Sequence, residues 1–203
     1  MSAGEAEGRL PFVGLTGGMA AGKTEALRAL ERLGAATISS DEIVHELLAT
    51  DELRDLLVER FGERVAPGGS VDRSAVAEVA FDDPERRAWL EGELWPRVGQ
   101  RIAAWREELV HRSPPPRAAV VEVPLLFEAG METGFEATVA IVAPERTRNE
   151  RAGARGHPGT ESRTSRQLSQ EEKAERANHV VENDGDLASL ERKMADVLDA
   201  LTR

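Results

Sequence analysis

Apolar positions along this chain follow two alternating patterns. Short continuous runs occur at Phe12–Thr16 (FVGLT), Ala35–Ser39 (AATIS), Ala118–Val123 (AAVVEV), Ala137–Val142 (ATVAIV) and His179–Glu182 (HVVE). Runs of this length, without polar alternation, suit strands buried on both faces. Between them the apolar spacing turns helical. Residues 24–33 (TEALRALERL) carry leucines at 27, 30 and 33 and meet a stop at Gly34. The same spacing predicts helices over 51–61, 73–112, 144–155, 166–177 and 187–201, with Pro84 and Pro96 at helix starts. Turn chemistry at 66–70 (APGGS) and Ser113–Pro116 (SPPP) breaks the chain. Ser40 or Asp41 is placed to cap a helix after the second strand. Five strands alternating with helices predict an α/β fold with a parallel five-stranded sheet covered on both faces.

The strand FVGLT runs directly into Gly17-Gly18-Met19-Ala20-Ala21-Gly22-Lys23-Thr24, a full match to G-x-x-x-x-G-K-[ST], and a helix follows at once. The chemistry needs these residue types in this order. Glycines let the backbone fold into a nest of inward-pointing N–H groups. The helix behind it adds the positive end of its dipole. Lys23 can reach the β- and γ-phosphates of ATP, and the Thr24 hydroxyl can ligate Mg²⁺. The strand-loop-helix context separates this from a glycine turn with an incidental lysine. It predicts a kinase that moves the γ-phosphate of ATP to a small metabolite.

Composition narrows the setting. The 203 residues suit a single domain with a helical insertion or lid. There is no cysteine, so no disulfide and no thiolate metal site. No run of 18 apolar residues suggests a membrane span. The first nine residues, MSAGEAEGR, lack the features of a signal peptide and read as a loose tail. Together these predict a cytoplasmic protein. A net charge of −11 argues against a general nucleic-acid binder. Residues 146–166 run against that charge, with six arginines and two glutamates. Such a basic island is either a polyanion site or a solvated helix face.

Asp41 lies just past the second strand, where ligands of such sheets bind. It reads either as the carboxylate that orients or deprotonates the acceptor hydroxyl or as a helix cap, and one group can do both. Arg148, Arg151 and Arg155, spaced i, i+3, i+7, stack on one helix face ahead of the flexible GHPGTES segment. That arrangement reads as a closing lid or as an exposed charged helix. Glu122, on the third strand, suits a metal-bound water or a solvent-facing strand end. Trp89 and Trp95 suit an acceptor pocket or a helical core. The four histidines show no metal-ligand spacing.

These residues together resemble the dephospho-coenzyme A kinase family over about residues 12–201. LTGGMAAGKT is similar to the family's LTGGIGSGKS. VDRSAVAEVAF resembles its D-R-x-x-L-x-x-x-V-F pattern and VEVPLLFEAGM its PLL-x-E segment. RQLSQEEK, with Gln167 and Lys173, resembles SQ-x-x-x-E-x-K, and ANHVVENDG resembles AD-x-x-I-x-N-x-G. The resemblance implies transfer from ATP to the 3′-hydroxyl of dephospho-CoA, giving CoA and ADP, with Mg²⁺. It implies a core (10–48, 116–145, 177–203), a helical acceptor-binding region (49–115) and a lid (146–176), as a monomer or small homo-oligomer. Carried over by position, Asp41, Lys23 and Arg151 are the catalytic set. Gly18, Met19, Ala20, Ala21, Gly22, Lys23, Thr24, Glu25, Arg155 and Asn183 hold the nucleotide, Asn183 near the adenine, and Thr24 holds the metal. The chain departs from the family at Ser39, where D-x-D has its first Asp, at Trp95 for the His of His-Pro, and at Asn178 for the Asp of Ala-Asp. Another small-molecule P-loop kinase, or a nucleotide-binding module without activity, remains the alternative.

Overall fold

In the computed structural model the described residues are 10–81, 83–154 and 167–203; the expected tail over residues 1–9 lies outside them. Strand β1 (Phe12–Gly17) is buried at every position. It sits at the centre of a sheet with β2 (Ala36–Ser39), β3 (Ala119–Glu122), β4 (Ala137–Val142) and β5 (His179–Glu182). The order is β2-β3-β1-β4-β5, and every pairing is parallel. The apolar runs read from the sequence are these strands, and burial on both faces is why they lack alternation. Register sets Ser39 and Leu15 on either side of Glu122, at the carboxyl end of the sheet.

Two compact units divide the chain: residues 1–39 with 108–203, and Ser40–Glu107. In the first, helix α1 (Lys23–Arg32) lays Ala26, Leu27, Ala29 and Leu30 on the sheet. The C-terminal helix, named α8 here (Leu187–Leu201), adds Leu190, Met194 and Leu198, spaced i, i+4, i+8. These meet Val13, Leu15, Val120, Val139, Ile141 and Val181 in one core. Asp186 caps α8, its carboxylate accepting from the Ser189 amide at 2.8 Å.

The second unit is helical. It contains α2 (Ser40–Leu48), α3 (Asp51–Phe61), α4 (Arg73–Phe81) and most of α5 (Pro84–Val110). Its own core gathers Leu48, Leu53, Leu57, Phe61, Val65, Val76 and Val79. Trp89 stands edge-on to Phe61, with ring centroids 5.2 Å apart, so this tryptophan belongs to the core reading. The helical span expected over 73–112 divides where Pro84 was expected to start a helix, and two other expectations are corrected. Pro96 lies inside α5 rather than at a start. There the Arg97 side chain donates to the Glu93 carbonyl (2.8 Å), bracing a turn the proline ring disturbs. Finally, α2 begins at Ser40, so Asp41 is in its first turn rather than ahead of it.

The first unit also holds α6 (Glu145–Ala154) and α7 (Gln170–Arg176). A capping box sets the start of α7: the Ser169 hydroxyl accepts from the Glu172 amide at 3.1 Å, and the Glu172 carboxylate accepts from the Ser169 amide at 2.8 Å. The helix expected from 166 therefore starts at 170.

Candidate active site

The loop Gly17–Thr24 leaves the central strand and enters α1. Gly17 takes φ 152° and Gly22 takes φ 100°. Neither position accepts a side chain. A Cβ on Gly17 would collide with the Ile141 carbonyl, and one on Gly22 with the Asn183 carboxamide. Ala20 also lies in the left-handed region, at φ 56°. An L-residue there carries about 1 kcal/mol of strain or more, the kind of cost that concentrates at ligand sites. Gly18 donates its amide to the Ile141 carbonyl at 3.3 Å, which ties the loop to β4. Half-buried Lys23 folds back over the loop, its ammonium donating to the carbonyls of Gly18 (3.1 Å) and Gly17 (3.3 Å). With the helix N-terminus behind it, this concavity suits a polyphosphate.

Arg151, on α6, reaches the same loop. Its Nη1 donates to the Ala21 carbonyl at 3.3 Å and its Nη2 to Asn183 Oδ1 at 3.5 Å. The structure thus brings together Lys23, the loop from Gly18 to Gly22, Arg151 and Asn183. Thr24 is exposed in the first turn of α1, with no hydrogen bond from its hydroxyl among the described residues. The Glu25 carboxylate accepts from Arg28 at 2.7 Å on the helix surface. Glu122 closes β3, half-buried. Arg155 and the GHPGTES segment lie outside the described residues.

Asp41 belongs to the helical unit. Its exposed carboxylate makes no hydrogen bond or ion pair among the described residues. Ser39, at the position of the family's first Asp, is buried at the end of β2. Trp95 is half-buried within α5. Asn178 does what an Asp there could: its Oδ1 accepts from both the amide (2.8 Å) and the hydroxyl (3.0 Å) of Thr138.

Sequence reasoning missed how α7 serves the site. Lys173 is 1% exposed; its ammonium donates to the Pro124 carbonyl at 2.6 Å and pairs with Glu128 at 3.0 Å. Glu128 Oε1 also accepts from the Leu168 amide at 2.9 Å. The Thr16 hydroxyl donates to the same Pro124 carbonyl at 3.2 Å. Gln170 grips Ala143 at the end of β4 through both amide and carbonyl, each at 3.0 Å. It also packs so close to Gly18 that a Cβ there would sit 3.2 Å from it. The Glu171 carboxyl is held below the usual carboxylate range by its own backbone amide, then by the Gln170 side chain. The signal for this brace was the motif SQEEK, whose helical spacing puts Gln170 and Lys173 on one face. Among the described residues no group of three or more His, Asp or Glu side chains is placed to hold a metal ion. No helix there is long and apolar enough to cross a membrane.

Comparison with known proteins agrees with this geometry. The profile of a family described as dephospho-CoA kinase matches residues 11–189. A dephospho-CoA kinase from Symbiobacterium thermophilum is 36% identical, across 92% of this chain and 78% of its own. One from Deinococcus radiodurans is also 36% identical, across 93% and 91%. Among solved structures, a Thermus thermophilus protein superposes with a TM-score of 0.79 at 34% identity, covering 96% of this chain and 100% of its own. The fold is also that of a dephospho-CoA kinase from Campylobacter jejuni, with a TM-score of 0.61 at 24% identity, covering 93% and 96%.

Proposed function

The chain belongs to the dephospho-CoA kinase family, and from that premise we infer that it transfers the γ-phosphate of ATP to the 3′-hydroxyl of dephospho-CoA, completing CoA. The observation that carries the mechanism is the convergence of two cations on one glycine loop: Lys23 ends on its Gly17 and Gly18 carbonyls and Arg151 on its Ala21 carbonyl. Phosphoryl transfer asks the protein mainly for positioning and for cations over the developing charge. Lys23 exchanges its loop carbonyls for the β- and γ-phosphate oxygens, while the loop amides and the α1 N-terminus hold the rest of the chain of phosphates. Arg151 sits to meet the charge that builds as the bond to the leaving oxygen lengthens. The nucleotide set is Gly18 through Thr24 with Glu25, Asn183 and Arg155. Asp41 accepts or orients the proton of the acceptor hydroxyl.

The residues present fit Mg²⁺. The ion prefers phosphate oxygens and waters to an all-protein cage, and the Thr24 hydroxyl beside Lys23 makes no hydrogen bond among the described residues. Thr24 would hold it, and bound there it would neutralise phosphate charge. We further assign the helical region to the acceptor and α6 to the lid, with the protein in the cytoplasm as a monomer or small homo-oligomer. A coupled ADP-release assay with dephospho-CoA against a panel of nucleosides tests the reading. ADP release that requires dephospho-CoA is expected. Faster turnover of a nucleoside would make it another small-molecule kinase. ATP binding without turnover of any acceptor would make it a binding module.

A further inference from the structure

Asn183 was placed with the nucleotide by position alone, and its surroundings say more. The side chain is 5% exposed. Its backbone amide donates to the Val142 carbonyl at 2.7 Å, one step beyond the β4–β5 pairing, which fixes where the side chain begins. Its Nδ2 donates to the Ala21 carbonyl at 2.8 Å, and its Oδ1 accepts from Arg151 Nη2 at 3.5 Å. Arg151 Nη1 donates to that same Ala21 carbonyl. Carboxamide, carbonyl and guanidinium therefore form a closed three-membered arrangement. Gly22 abuts it so tightly that a Cβ would strike Nδ2.

We propose that Asn183 is a positioning residue for phosphoryl transfer, holding the Arg151 guanidinium and the Ala21 carbonyl in register over the phosphate loop, and that it does not read the adenine base. The inference rests on the assignment of Arg151 to the phosphates. A carboxamide that reads a base must turn a donor and an acceptor outward. Here one N–H of the carboxamide goes to the loop and its oxygen to the arginine, with the side chain 5% exposed, so turning both ends toward a base would break the arrangement. A free arginine carries about 2 kcal/mol of rotamer entropy. Two acceptors set side by side, Asn183 Oδ1 and Ala21 O, select one guanidinium orientation before ATP arrives, so less ordering is left to the transition state.

The experiment measures kcat and KM with ATP and with GTP for the wild type, Asn183→Ala, Arg151→Ala and the double variant, each checked by thermal unfolding. Asn183→Ala is expected to lower kcat about tenfold, with an unchanged preference for ATP over GTP. Because Asn183 and Arg151 share one arrangement, the double variant is expected to lose clearly less than the product of the two single losses. If Asn183→Ala does not fold, Asn183→Ser, which leaves a small polar group in the same space, takes its place. Loss of the ATP-over-GTP preference, or effects that multiply in the double variant, would overturn the proposal. Arg151→Ala turning over at the wild-type rate would instead remove the phosphate role of Arg151 itself, a separate outcome visible in the single variant.

Discussion

In the sheet-bearing unit, the cations assigned to the phosphates end on carbonyls of the loop they serve, Lys23 on Gly17 and Gly18 and Arg151 on Ala21. In the helical unit, Asp41 extends from the first turn of α2 without a hydrogen bond or ion pair among the described residues. The contrast follows from charge. An arginine resting on a neutral carbonyl and a carboxamide, as Arg151 does, gives up little when phosphate oxygens displace them, so it can be held in place beforehand. A carboxylate tied to an arginine would make a poor proton acceptor, because the pairing favours its charged form and lowers its basicity. On the proposed roles, one side of the reaction is built in advance and the other leaves its carboxylate unengaged until the acceptor arrives.

Removing the prepared charge should produce the largest effect. Lys23→Ala is expected to cut turnover about a thousandfold or more while the unfolding midpoint stays near that of the wild type. A folded Lys23→Ala protein with near-normal turnover would mean that the loop does not hold the transferring phosphate. Next in size is the support beneath the loop. Lys173→Ala strands Glu128 in the interior, and loss of a buried partner costs about 3 kcal/mol or more. Chemical denaturation should show that loss, and adding Glu128→Leu should recover part of it. A single-variant cost below about 1 kcal/mol would show that the sheet unit does not depend on this pair. On the acceptor side, Asp41→Asn keeps the shape and removes the charge. It should lower kcat roughly a hundredfold, with ATP affinity unchanged and stability within about 1 kcal/mol. Unimpaired turnover of dephospho-CoA by Asp41→Asn would place the proton acceptor elsewhere and end the contrast between the two units.

What the sequence made legible follows from what each feature depends on. The strand FVGLT, the glycine loop and the helix behind it form a local unit, so periodicity and spacing locate them within a residue. The sheet's parallel sense followed from the connections alone. Pro96 was misplaced because a proline at a helix start and one inside a helix look alike until a neighbour such as Arg97 is seen bracing the turn. Lys173 gave no hint of burial, since only the distant Pro124 and Glu128 make it tolerable. Asn183 was placed near the adenine by position; its contacts with Ala21 and Arg151 were not legible, because those residues share no local pattern with it.

The hydrogen bond from Asn183 to Ala21 spans 162 residues, and that distance is also an interval of time. During synthesis the glycine loop is made before the segments that complete it: β1 pairs with β3 and β4, and the loop is fastened by Ile141, Gln170 and Asn183. At about 5–20 residues per second, Asn183 follows Ala21 by roughly 8–30 s. The nascent chain carries its phosphate-binding sequence through that interval without the strands and side chains that shape it. The loop is finished by a residue made 162 positions after it, so a growing chain acquires the shaped site only once that later segment has emerged.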